Sequence, residues 1–178
     1  MSMIMLLESV ASTDNPIRAL PPKSPPAGFT LRIFDPELVE DETNETTGSP
    51  CTKEEACCNN SISLEKAWHG LHYLLTGQVW SGNGLRGFLV EGGRECGGES
   101  EYGPPRIFDP AEVKSISQIL QEISPDELWS QYEAQRFTQQ GIYPDIWDEP
   151  EEDLREEYID YFESLKAFVS TAAQSGHS

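Results

Sequence analysis

The sequence predicts an α/β fold: a single domain, 1–178, with a small mixed sheet, packed helices and a long amphipathic C-terminal helix. Three observations carry this. Met3–Leu7 is apolar on both alternating faces, as in a strand buried from two sides. Asp109-Pro-Ala-Glu112 and Ser124-Pro-Asp-Glu127 each combine a capping oxygen, a proline suited to the first helical position and an acid three residues on. Leu154, Tyr158, Tyr161, Phe162, Leu165, Phe168, Val169 and Ala172 then recur at helical spacing over Glu151–Ala173. A chain of 178 residues is long enough to hide about 70% of its unfolded surface, so one real core is expected.

The elements follow in order. Met1–Ala11 reads as the first strand, with Met3, Met5 and Leu7 on one face and Ile4 and Leu6 on the other. Pro21-Pro22 and Pro25-Pro26 mark a linker. Leu31–Glu40 has a weak helical pattern, with Pro36 suited to a helix start. Asp41–Asn60 is polar and almost free of large apolar residues. Ordering its backbone would cost about 1–2 kcal/mol per residue with little burial in return, which predicts a mobile insertion over 41–60. Ser63 is expected to open the clearest helix, with Leu64, Trp68, Leu71 and Leu75 in one stripe and Gly77 as its stop. Gln78–Gly103 is a glycine-rich loop with one expected strand at Phe88–Glu91, and Tyr102–Phe108 approaches the next helix in extended form. That helix carries Val113, Ile116, Leu120 and Ile123 on one face; the next, near Pro125–Tyr132, is short.

Charge narrows the function classes. Twelve Lys and Arg against 31 Asp and Glu leave a net charge of −19. Nucleic acid and anionic membrane surfaces both need basic clusters, so neither is an expected partner. The longest apolar run, Met3–Leu7, is far short of the roughly 20 residues of a spanning helix. With no basic leader, and Glu8 interrupting the apolar start, a cytoplasmic location is expected. Cys51, Cys57, Cys58 and Cys96 are then reduced thiols.

Four segments together resemble a known family. Met1-x-Met-Ile, Trp68-His-Gly-Leu-His-Tyr-Leu-Leu-Thr-Gly77, Tyr102-Gly-Pro-Pro-Arg106 and Gly141-Ile-Tyr-Pro-Asp-Ile-Trp147 are similar to motifs of the YfbM-like family, small and mostly bacterial proteins classed as a domain of unknown function. The resemblance covers the first strand and roughly Ser63 to Ala173. It implies one α/β domain with helices packed on a sheet, and it implies no activity and no catalytic residue. Asp41–Asn60, with its three cysteines, departs from the family pattern, and the chain stops at Gly176-His-Ser178 where members commonly run on into an apolar strand.

Several constellations bear chemistry, each with a plainer alternative. On a helix begun at Leu64, at about 100° per residue, Glu65, His69, His72 and Thr76 form a polar strip beside the buried stripe. Such a strip suits metal ligation or a general base at His72. The alternative is a half-buried His72 satisfied by a carbonyl or carboxylate and a solvated His69. The aromatic residues could line a pocket or simply fill the core, and the candidate pocket set is His72, Trp68, Glu65, Tyr102, Arg106 and Tyr143, with Arg106 as polar anchor. Gly82-Asn-Gly-Leu-Arg-Gly87 matches the dinucleotide fingerprint in letters only, because it follows a helix instead of a strand. Cys51, Cys57 and Cys58 lack zinc-site spacing. Glu151, Glu152, Asp153, Glu156 and Glu157 form either a solvated face or a docking surface for a basic protein.

The expected function is therefore a non-catalytic protein-binding module, regulatory or toxin-neutralising, that uses its acidic face and needs no cofactor or metal. The alternative is a small-molecule or hydrolytic site near His72. Oligomeric state is not legible.

Overall fold

The computed structural model describes Ile4–Val10, Gly28–Phe34 and residues 61–82, 84–95 and 104–175; within the first two segments, side chains are described for Met5 and Leu7. The first strand, β1 (Ile4–Val10), is where the sequence places it, and Met5 and Leu7 are fully buried. It pairs on one side with β2 (Gly28–Phe34), setting Leu7 opposite Leu31, and on the other with β3 (Ser61–Glu65), setting Leu7 opposite Ile62. β2 also pairs with β5 (Arg106–Phe108), which carries the two-residue β4 (Arg94–Glu95). The order is β3-β1-β2-β5-β4. The α/β class holds, and every described pairing in the sheet is antiparallel where the sequence suggests a mixed one.

Among the described residues five helices accompany the sheet: α1 (Trp68–Thr76), α2 (Pro110–Glu122), α3 (Pro125–Trp129), α4 (Ala134–Gln140) and α5 (Glu151–Ser175). The α2 start is a complete capping box. Asp109 Oδ1 accepts from the Ala111 and Glu112 N–H groups at 2.9 Å each, and Glu112 Oε2 accepts from the Asp109 N–H at 2.9 Å. Ser124 Oγ does the same work for α3 through the Glu127 N–H. Gly77 ends α1 at φ 69°, a left-handed conformation that costs a glycine little. The α5 stripe is buried as the spacing demands, from Leu154 to Ala172, with Tyr161 at its half-buried edge. α1 differs in kind: each residue from Trp68 to Leu75 is buried, so it is a core helix.

Four sequence expectations change. The Ser63 helix start becomes β3, because pairing with β1 captures Ser61–Glu65; Leu64 is buried from the strand, and the helix begins at Trp68. The weak helical pattern at Leu31 loses to β2, a strand held on both sides; only its first residues, to Phe34, are described. The expected strand at Phe88–Glu91 is instead the exit of a 3-10 turn, Gly84–Gly87, whose Gly87 carbonyl accepts from the Val90 and Glu91 N–H groups. α4 has no counterpart in the sequence reading; Phe137 alone anchors it in the core, and Gly141 ends it at φ 65°. The 41–60 insertion with Cys51, Cys57 and Cys58, the 21–26 linker, Cys96 and Tyr102 lie outside the described residues.

Candidate functional site

Both histidines of α1 are fully buried, a correction to the solvated His69 and half-buried His72 of the plainer reading. The cause is that α1 starts at Trp68, so the wheel drawn from Leu64 does not apply. His69 Nδ1 accepts the Tyr143 N–H at 3.0 Å; its proton therefore sits on Nε2, which donates to the Val79 carbonyl at 2.9 Å. The imidazole stacks on Trp68 at 5.1 Å and on Trp80 at 4.4 Å, and the two indoles meet each other at 6.4 Å, so the three rings form a triangle. Trp80 is 60% exposed, so the stack runs from core to surface. Burial lowers the His69 pKa, against a weaker opposing effect of the Val79 carbonyl.

His72 is held less tightly. Among the described residues neither ring nitrogen meets hydrogen-bond geometry, although the Ser81 backbone lies near enough to favour the protonated ring. Burial, then the neighbouring His69, push its pKa down to about 4; the Ser81 backbone and Glu91 act the other way, and Arg106 adds to the lowering. His72 is thus a neutral ring sealed under the loop that follows α1. That loop is pinned at three points. Val79 is held by His69, the Gly82 N–H donates to Glu91 Oε1, and Arg106 donates to the carbonyls of Leu89 at 2.9 Å and of Phe88 and Gly92 at 3.4 Å. Gly82 and Gly87 sit back to back within it, so close that a Cβ on either would strike the other's Cα. The fingerprint letters therefore spell a packed turn.

The other candidate pocket residues separate. Trp68 is buried with an unpartnered Nε1. Tyr143 is half-buried and reaches His69 through its backbone, next to a cis Tyr143–Pro144 peptide. Glu65 is exposed at the end of β3, at φ 45°, and is not on the histidine helix. Arg106 has its guanidinium taken up by loop carbonyls. Among the described residues no group of three or more His, Cys, Asp or Glu is placed to hold a metal ion, and no helix is long and apolar enough to cross a membrane.

The acidic end of α5 is open. Glu151, Glu152, Asp153, Glu156 and Glu157 are all exposed. Glu151 accepts from Trp129 Nε1 at 3.2 Å, and Arg155, the one base of this stretch, is paired with Asp126. The carboxylates of the first turn lie where the helix macrodipole favours negative charge.

A separate cleft of about 220 Å³ opens at the other end of α1. Leu74, Leu75, Thr76 and Gly77 form one wall; Ile123 and Leu128 add apolar surface; Arg86, Glu127 and Gln131 line the remainder. No spacing in the sequence joins Arg86 to Glu127, and only folding brings them to one opening.

The family described as a domain of unknown function (DUF1877) matches residues 1–178, the full length of the sequence. The chain belongs to the DUF1877 family. No match was found among curated proteins or among solved structures. What can be said of this DUF1877 domain's chemistry therefore rests on its own side chains: a sealed His72, a tautomer-locked His69, an open acidic helix end and a small cleft of mixed charge.

Proposed function

We propose that this DUF1877 protein, YfbM-like in its motifs, is a non-catalytic cytoplasmic module that binds a basic protein through the N-terminal end of α5, in a regulatory or toxin-neutralising role. The observation that carries the reading is the exposed run Glu151, Glu152, Asp153, Glu156 and Glu157, whose only interspersed cation is already committed to Asp126. In a molecule of net charge −19 that end steers and selects positively charged surfaces. The sealed state of His72 supports a non-catalytic role, because a general base must reach the proton it removes. The test is capture from a native-host lysate with mass spectrometry, followed by the same capture with the five acids changed to Gln or Asn. Loss of the captured partner supports the reading; a partner that stays bound at physiological salt overturns it.

A ligand or hydrolytic site at His72 is the second reading. It is favoured by one observation, the two unpartnered ring nitrogens, and it requires the 79–92 loop to lift.

A further inference from the structure

We propose that the cleft at the C-terminal end of α1 binds a compact zwitterion with an apolar body, of the chemistry of a free aliphatic α-amino acid. The proposal is independent of the acidic end of α5.

The cation end of such a ligand is provided first by α1 itself. The Gly77 N–H closes onto the Tyr73 carbonyl, and Thr76 Oγ1 donates to the His72 carbonyl. The next three carbonyls, of Leu74, Leu75 and Thr76, accept no hydrogen bond among the described residues. The last turn holds no basic side chain. A helix end with open carbonyls and no basic side chain of its own carries partial negative charge, which an ammonium group satisfies. Glu127 brings a carboxylate to the same cleft.

The anion end is Arg86. It is exposed, lines the same cleft, and among the described residues pairs with no carboxylate, Glu127 included. Two opposite charges that share a cleft without meeting leave both available, and a guanidinium takes a carboxylate bidentately. Leu74, Leu75, Ile123 and Leu128 line the same cleft, each showing a small part of its side chain.

Size sets the class. A volume of about 220 Å³ is below the roughly 300 Å³ at which drug-sized pockets begin. A nucleotide carries no ammonium for the carbonyl end.

The test uses the full chain labelled with nitrogen-15, titrated with alanine, valine, leucine and methionine, and with leucinamide and N-acetyl-leucine as analogues stripped of one charge. The expected result is saturable movement of the Gly77, Glu127 and Gln131 amide signals with leucine, and at least about tenfold weaker binding of each stripped analogue. Arg86→Gln should bring leucine down to the level of leucinamide while leaving leucinamide itself unchanged, and Arg86→Lys should retain most of the binding. Glu127→Gln should bring leucine down to the level of N-acetyl-leucine. Both positions are exposed, and an unchanged thermal midpoint in each variant confirms the fold. The proposal is overturned if none of the four amino acids gives saturable shifts, if the stripped analogues bind as well as leucine, or if both charge-removing variants bind like the parent.

Discussion

The backbone N–H of Tyr143 donates to Nδ1 of His69 at 3.0 Å, across 74 positions of sequence. This contact ties the loop between α4 and α5 to the core helix and dictates where the imidazole proton resides.

The first prediction concerns that proton. Long-range nitrogen-15 correlation spectra at neutral pH should show His69 as the Nε2–H tautomer, with Nδ1 unprotonated. Observation of an Nδ1–H form would remove the Tyr143 contact. His69→Ala abandons both hydrogen bonds and the ring stack, and should cost about 2–4 kcal/mol in urea unfolding.

Acid sensitivity should trace to His72. Its pKa falls from 6.5 to about 4 on folding, so between those values the unfolded chain holds the extra proton. Stability from this group is fully present above about 6.5, declines as pH drops through this window, and is lost below about 4, a change on the order of 3 kcal/mol. His69, lowered in the same direction, adds to the trend. His72→Met should flatten the urea midpoint between pH 7 and 5. At pH 7 it should cost little, because among the described residues neither ring nitrogen meets hydrogen-bond geometry. An unflattened profile would assign the acid response elsewhere.

Gly70 and Tyr158 give opposite expectations. A Cβ at Gly70 would lie 2.5 Å from Tyr158 Cε1, 2.6 Å from its hydroxyl and 2.8 Å from Trp147 Cη2. Both rings are buried, so Gly70→Ala should destabilise by about 1–3 kcal/mol or more. The Tyr158 hydroxyl is buried and finds no partner among the described residues, so Tyr158→Phe should be neutral or stabilising by up to about 1 kcal/mol. Thermal midpoints decide both, and a marked loss in Tyr158→Phe would mean that its hydroxyl has a partner.

At the α2 start, Asp109→Ala leaves the Ala111 and Glu112 N–H groups without their acceptor and should lower stability by about 1 kcal/mol. Asp109→Asn keeps an acceptor oxygen and should recover most of that loss. Chemical denaturation of the two variants side by side checks the order.

Local chemistry was legible in the sequence where a residue's role depends on its near neighbours. Asp109, Ser124 and Gly77 cap their helices as their types and positions predict, and the α5 stripe needs only its own spacing. Ser61–Glu65 was not legible, because its strand state depends on β1, more than fifty positions earlier in the chain. The same holds for the candidate sites. The exposed acids of α5 are readable as a run, whereas the burial of His69 depends on Val79, Trp80 and Tyr143 arriving around it. Arg86 and Glu127 belong to separate segments, and no period or motif links them.

The burial of α1 from Trp68 to Leu75 sets the order in which this molecule can open. Its amides from Leu71 to Leu75 are bonded within a stretch of helix that is buried throughout. They should be the slowest to exchange with deuterated water, at a rate set by global unfolding, while the solvent-facing amides of α4 exchange through local fraying. Anything that must touch His72 then faces a choice between lifting a loop held by three separate pins and waiting for the rarest excursion the chain makes.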